Sequence, residues 1–158
     1  MKNRKLRNLV LALLAAILVI GLVQTPVYAA NPKCSTLYNA VKKKASSGAK
    51  KVTKKSTCTF LTSKYRKMLS DYYYATDGDD VYCVRIVKAS STSNAKKIKT
   101  QFDTILKSMK NDSYLTTSQK KVVKAAKTGR SGKYVWYISL SSSSSTNNKA
   151  VKALKAKL

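Results

Sequence analysis

The sequence predicts an α+β domain, a small three-stranded, mainly antiparallel sheet with helices packed on it, in the order α-α-β-α-β-β-α. Three observations carry this. Residues 81–88 and 133–140 are short runs dense in β-branched and aromatic residues. Residues 94–110 and 147–157 place apolar residues at the helical period. Polar stretches rich in Gly or Ser separate these segments.

The chain opens with Lys2, Arg4, Lys5 and Arg7, then the unbroken apolar run Leu9–Val23, then Gln24, Thr25 and Pro26. Pro26 ends any helix, and Val27-Tyr28-Ala29 puts small or medium residues where a signal peptidase reads them. Residues 1–29 therefore read as a secretory signal peptide cut after Ala29, with Ala30 as the second choice, leaving 30–158 as one basic domain. The apolar run is fifteen residues long, short of the roughly 20 that span a bilayer, which weighs against an uncleaved anchor.

Within the domain, residues 35–46 predict a first helix with Leu37, Tyr38, Val41 and Ala45 on one stripe and Ser35 as cap. Residues 46–57 read as a loop. A second helix is expected over Thr59–Leu69, and residues 70–80, with Tyr72, Tyr73 and Tyr74, as a connector. The first strand, residues 81–88, alternates Tyr82, Val84 and Ile86 against Val81, Cys83 and Val87. Residues 94–110 give the clearest helix, with Ala95, Ile98, Phe102, Ile105, Leu106 and Met109 on its apolar face, Ser93 as cap, and lysines opposite. After Tyr114-Leu115 comes a polar turn, then a weaker strand or helix-to-strand segment over 122–128 and a turn at Thr128–Gly132. Residues 133–140 are the strongest strand, expected to form a hairpin with the second strand and to lie beside the first through a crossover helix. Ser141–Ser145 reads as a loop. A last helix, Asn147–Lys157, sets Ala150, Val151, Leu154 and Leu158 against lysines, and its narrow apolar face favours docking on the sheet over lying on a membrane.

Net charge is +26 at pH 7, from 32 Lys and Arg against six Asp, with no Glu and no His. Residues 31–70 carry eleven bases and no acid. Such a field draws polyanions, with strong salt dependence. Lys outnumbers Arg 27 to 5, and Lys lacks the fork that reads base edges, so no sequence-specific nucleic-acid recognition is expected. The candidate binding residues are Lys42, Lys43, Lys44, Lys50, Lys51, Lys54 and Lys55. The competing explanation is that the charge serves solubility alone.

Three cysteines allow one disulfide and one thiol left over. Cys34–Cys58 would tie the two N-terminal helices, with Cys83 a small core residue; alternatively all three stay reduced and buried.

The absence of His removes Ser–His–Asp and Cys–His constellations and His-bearing zinc sites. Asp71, Asp77, Asp79 and Asp80 form the one acidic cluster, whose spacing fits a solvated turn better than a Ca²⁺ loop. S-x-x-K occurs at Ser47/Lys50, Ser93/Lys96 and Ser118/Lys121, as chance predicts in a chain rich in both residues, without the companion motifs of a Ser–Lys hydrolase. No cofactor motif is present, and no enzyme is expected. Tyr72–Tyr74 with Trp136 and Tyr137 could form a stacking platform for a glycan or single strand, against which stands ordinary packing in strands.

The element order resembles the domain of unknown function 4358 family of small secreted proteins and lipoproteins of Gram-positive bacteria. The residues that carry the resemblance are Val84-Arg85-Ile86-Val87, the helix Ala95–Met109, the step Tyr114-Leu115, Gly132-Lys133-Tyr134-Val135, and the last helix with Ala150 and Leu154. The chain lacks the lipobox and the acidic residues that the family's helices carry, and Thr116 stands where a proline often follows the tyrosine. The resemblance implies export and this fold, and no activity. The expected function is a non-enzymatic extracellular or cell-envelope binding domain, held to an anionic wall polymer or anionic lipid surface by distributed lysines. The alternatives are a structural or interaction module with a protein partner and incidental charge, and a hydrolase using Asp or Ser–Lys chemistry.

Overall fold

The computed structural model describes residues 31–44, 54–55, 57–78 and 80–158. The leader and most of the 46–57 segment lie outside them. By contacts the chain divides into Met1–Ala30 and Asn31–Leu158, and everything below concerns the second unit. Its elements are helix α1 (Cys34–Lys44), strand β1 (Lys54–Lys55), helix α2 (Ser63–Arg66), strands β2 (Leu69–Thr76) and β3 (Cys83–Ala89), helices α3 (Thr92–Lys110) and α4 (Thr117–Ala125), strands β4 (Lys127–Ser131) and β5 (Tyr134–Ser139), and helix α5 (Ser144–Lys155). All strand pairs are antiparallel, in the order β1-β2-β3-β5-β4, with β1 a two-residue addition to a four-stranded body.

The α+β class is as expected; the strand count, the element order and the placement of the helices are not. Helices cover both faces of the sheet rather than one. On one face α1 and α5 pack Leu37, Val41, Ala150 and Leu154 onto Ala75, Val84, Ile86, Trp136 and Ile138. On the other α3 packs Ala95, Ile98 and Phe102 onto Tyr74, Cys83, Val87, Val135 and Tyr137. Strand β3 is consequently buried on both sides, which gives it the nearly continuous apolar composition of a central strand.

The same two-sided burial hides β2 in the sequence. Residues 70–80 are not a connector: the chain is extended to Thr76 and pairs with β3 from Leu69↔Ala89 to Thr76↔Cys83. Three consecutive tyrosines show no alternation, because Tyr73 stacks on Tyr38 of α1 while Tyr74 meets Phe60 on the opposite face. The early start of β2 also shortens the helix expected over Thr59–Leu69 to the single turn α2. Over 122–128 the helix-to-strand alternative holds, and the helix reaches back through the expected polar turn to Thr117, started by a capping box in which Thr116 and Gln119 bond each other's backbone N–H. Helix α5 begins three residues before the expected Asn147, because Ser143 caps it. Buried Asn147 fixes its position, accepting from Leu140 N–H and donating to the Ala125 and Ser141 carbonyls.

Thr128–Ser131 is strand β4 rather than a turn, which falls instead at Gly132 (φ 53°). Gly129 sits directly opposite Trp136, whose indole fills the space a side chain would need. A Cβ at position 129 would collide with the ring, which is buried and has no slack. Gly129→Ala is therefore expected to destabilise the domain by about 1–3 kcal/mol, the range for overpacked cores. Urea unfolding followed by the fluorescence of Trp136, the chain's one tryptophan, measures it. An unchanged midpoint would show that the ring does not need this gap.

Candidate functional site

Two features are candidates: the lysine-bearing surface and a charge inside the core. On the surface, Lys42 and Lys43 of α1 and Lys149, Lys152 and Lys155 of α5 are exposed on the same helical layer, and neither helix carries an acid. Helix α4 adds exposed Lys120, Lys121 and Lys124. Of the residues the sequence singles out, Lys42 and Lys43 are exposed as expected. Lys44, Lys50, Lys51, Lys54 and Lys55 lie outside the residues whose side chains are described. The α5 and α4 lysines complete a surface that the sequence alone centres too far toward the N-terminus, since only the fold brings α5 beside α1.

Four of the described acids are engaged elsewhere than on this surface. Asp71 accepts the Cys34 N–H at 2.7 Å, at the start of α1, where a carboxylate suits the helix dipole. Asp103 takes Lys99 and the Thr128 hydroxyl, at 2.6 Å each. Burial works against its charge, but these two hydrogen bonds prevail and hold its carboxyl below the ordinary value. Asp112 accepts from Tyr114 N–H. Asp80 is held by Tyr74 and Arg85. The expected acidic cluster is thus dispersed: Asp71 and Asp80 serve different faces of the sheet, and Asp79 lies outside the described residues. Among the described residues no group of three metal-ligating side chains occurs.

The second feature is Arg85, to which the sequence assigned only a place in the Val84–Val87 run. The sheet pairs it with Tyr74 on one side and Tyr137 on the other. Its Cζ lies 5.3 Å from the Tyr74 ring centroid, 5.0 Å from Tyr137 and 5.0 Å from Phe60. The residue is 1% exposed, and Nη2 pairs with Asp80 at 3.2 Å, on a carboxylate side chain that is 62% exposed. Nε and Nη1 are buried without a hydrogen-bond partner. Burial alone would lower the Arg85 pKa, but Cys83, Asp80, Tyr74 and Tyr137 outweigh it, so the guanidinium stays charged. Three rings lie around it, within the distance at which an aromatic face attracts a cation.

The aromatic platform does not form. Trp136 and Tyr137 are buried on opposite faces, Tyr74 is buried, and Tyr72 and Tyr73 are half-buried. Ser93 and Lys96 stand exposed on α3, as do Ser118 and Lys121 on α4, where the Ser118 hydroxyl is 3.0 Å from that of Thr116. A cavity of about 580 Å³ beside the start of β2 is lined by Thr57, Cys58, Arg66, Leu69, Ser70, Asp71 and Tyr72. Its thiol is poorly suited to nucleophilic work, because burial pushes Cys58 up to about 11, with Arg66 and Arg85 pulling back only in part. Cys34–Cys58 is not a disulfide. All three cysteines are free and buried, Cys34 under α1 and Cys58 in the cluster on the other side of the sheet.

No protein-family model matches the chain, and no curated protein or solved structure is similar to it. Among the described residues no helix is long and apolar enough to cross a membrane.

The burial of thiols and phenols is measurable in two ways. A thiol reagent should leave all three cysteines unmodified in the native protein and label all three in denaturant; rapid native labelling would place one of them at the surface. Burial, with Asp80 accepting its hydroxyl, raises Tyr74 to about 12. Folded pKa values above the ordinary ones give stability that is complete below the ordinary values and lost as pH rises. The urea midpoint should thus hold up to about pH 9 and fall from there to about pH 12, the interval spanned by Cys58 and Tyr74. A midpoint flat through that interval would contradict the burial of these groups.

Proposed function

We propose that this protein is a non-enzymatic binding domain of the extracellular space or cell envelope, which associates with anionic polymers through distributed lysines. The observation that carries the reading is the acid-free α1/α5 layer with exposed Lys42, Lys43, Lys149, Lys152 and Lys155, in a domain whose Asp71, Asp80, Asp103 and Asp112 are engaged in other contacts of its own structure. Flexible ammonium groups spread over a surface suit a polymer of repeating phosphates better than a single shaped ligand. The leader composition and the resemblance to the domain of unknown function 4358 family support export from a Gram-positive cell. Wall teichoic acid is the polyanion such a cell presents. The absence of His and the raised thiols speak against hydrolytic chemistry.

Co-sedimentation with purified Gram-positive walls, with and without teichoic acid, tests this at about 50 and 300 mM salt, a range over which several phosphate contacts weaken strongly. The expected result is retention that needs teichoic acid and is lost at the higher salt. Changing Lys42, Lys43, Lys149, Lys152 and Lys155 together to Gln should flatten the log–log salt slope by about 0.7–0.9 for each lysine that meets a phosphate. No retention at low salt would leave the charge as a solubility feature and direct attention to protein partners.

A further inference from the structure

We propose that Arg85 is the recognition group of a small carboxylate-binding site whose mouth Asp80 occupies in this structure. The starting point is an imbalance. A guanidinium has five N–H donors, and burying them without acceptors costs more than the bonds return. Arg85 is 1% exposed, yet Nε and Nη1 meet no acceptor, while Nη2 meets one oxygen of Asp80. A chain that uses Lys for 27 of its 32 bases places an Arg here. A structural cation could be replaced by an apolar residue at little cost and often with gain.

The surroundings are arranged for a planar anion. Phe60, Tyr74 and Tyr137 surround the guanidinium at 5.0–5.3 Å from Cζ to ring centroid, and none of them offers a hydrogen-bond acceptor to Nε or Nη1. Among the described acids Asp80 alone pairs with the guanidinium, through Nη2, and the Asp80 side chain is 62% exposed. Asp80 belongs to the irregular segment between β2 and β3, which turns at Gly78 (φ 125°). It is held there by Tyr74 Oη and by the Cys83 thiol, which donates to its carbonyl at 3.3 Å. The Asp80 carboxylate is thus a tethered stand-in. A ligand carboxylate that displaced it could pair with Nη2 and also with Nε or Nη1, completing the two-pronged contact that Asp80 leaves half made. This site is independent of the lysine surface, which lies on other elements and needs no enclosed ligand.

The test is calorimetric titration at fixed ionic strength with acetate, and with a short peptide carrying a free or an amidated C-terminus, into the wild-type protein and Asp80→Ala. Removing the tethered competitor raises the fraction of open sites, so Asp80→Ala should bind acetate at least about tenfold more tightly than wild type. Acetate alone binding would mark a site for small acids. Equal binding of the free-terminus peptide, abolished by amidation, would mark one for chain ends. Asp80→Ala/Arg85→Met should lose the binding. In case that variant does not fold, the Nε–H resonance of Arg85 in Asp80→Ala gives a second reading and should shift on adding acetate. Binding that is no tighter in Asp80→Ala, or an Nε–H resonance that acetate leaves in place, overturns the proposal.

Discussion

A single positive charge at the centre of the sheet constrains the structure around it. Arg85 lies on the middle strand, paired across to Tyr74 and Tyr137, and faces Phe60. A charge there is tolerated only if its neighbours supply negative potential, and the neighbours do: three rings and one carboxylate. This requirement explains why aromatic residues line that row on β2 and β5. It also explains why Asp80, on an otherwise exposed segment, pairs with Arg85. Among the described residues, the core on the opposite face of the same strands holds no charge. There Trp136 fills the gap that Gly129 leaves, and α1 and α5 close over it.

The remaining charges follow an economy forced by composition. Six acids cannot neutralise 32 bases, and Asp71, Asp103, Asp112 and Asp80 each act locally: at the start of α1, beside Lys99 and Thr128, in the turn after α3, and at Arg85. The lysines are left to water. Two of their ammonium groups also lie over aromatic rings, Lys155 over Trp136 and Lys88 over Tyr134. A fold that ties these four acids into its own contacts and buries one arginine, while presenting lysine on α1, α4 and α5, is held together by its core and is open to polyanions at its surface. Stability and binding therefore draw on different residues, and surface lysines can be exchanged without disturbing the sheet.

Much of the fold was legible. The alternation of Val84 and Ile86 against Cys83 and Val87, the stripe of α3, and the pairing of β3 beside β5 all read directly from spacing. What did not read were the elements whose pattern depends on a partner. Tyr72–Tyr74 look aperiodic because both faces of β2 are covered. Thr128–Ser131 look like a turn because Gly129 makes room for an indole on the neighbouring strand, a need visible only once Trp136 is opposite. The start of α4 looks polar because its first turn is a cap. The lysine surface was half legible, since α1 is lysine-rich in sequence but α5 joins it only in the fold. Arg85 left one usable signal: it shares the parity of Cys83 and Val87 in a strand apolar on both faces, so its side chain had to enter the core.

The measurement that tests this account most directly is a double-mutant cycle on stability, combining Asp80→Asn with Arg85→Met and following urea unfolding. If the guanidinium organises the segment above it, Asp80→Asn destabilises the protein while Arg85 is present and has little effect once Arg85→Met has removed the charge. The coupling energy should then be on the order of 1 kcal/mol or more, as for contacting groups in one network. A cost for Asp80→Asn that is the same in both backgrounds would mean that the charge at the sheet centre does not hold Asp80, and the central claim would fail.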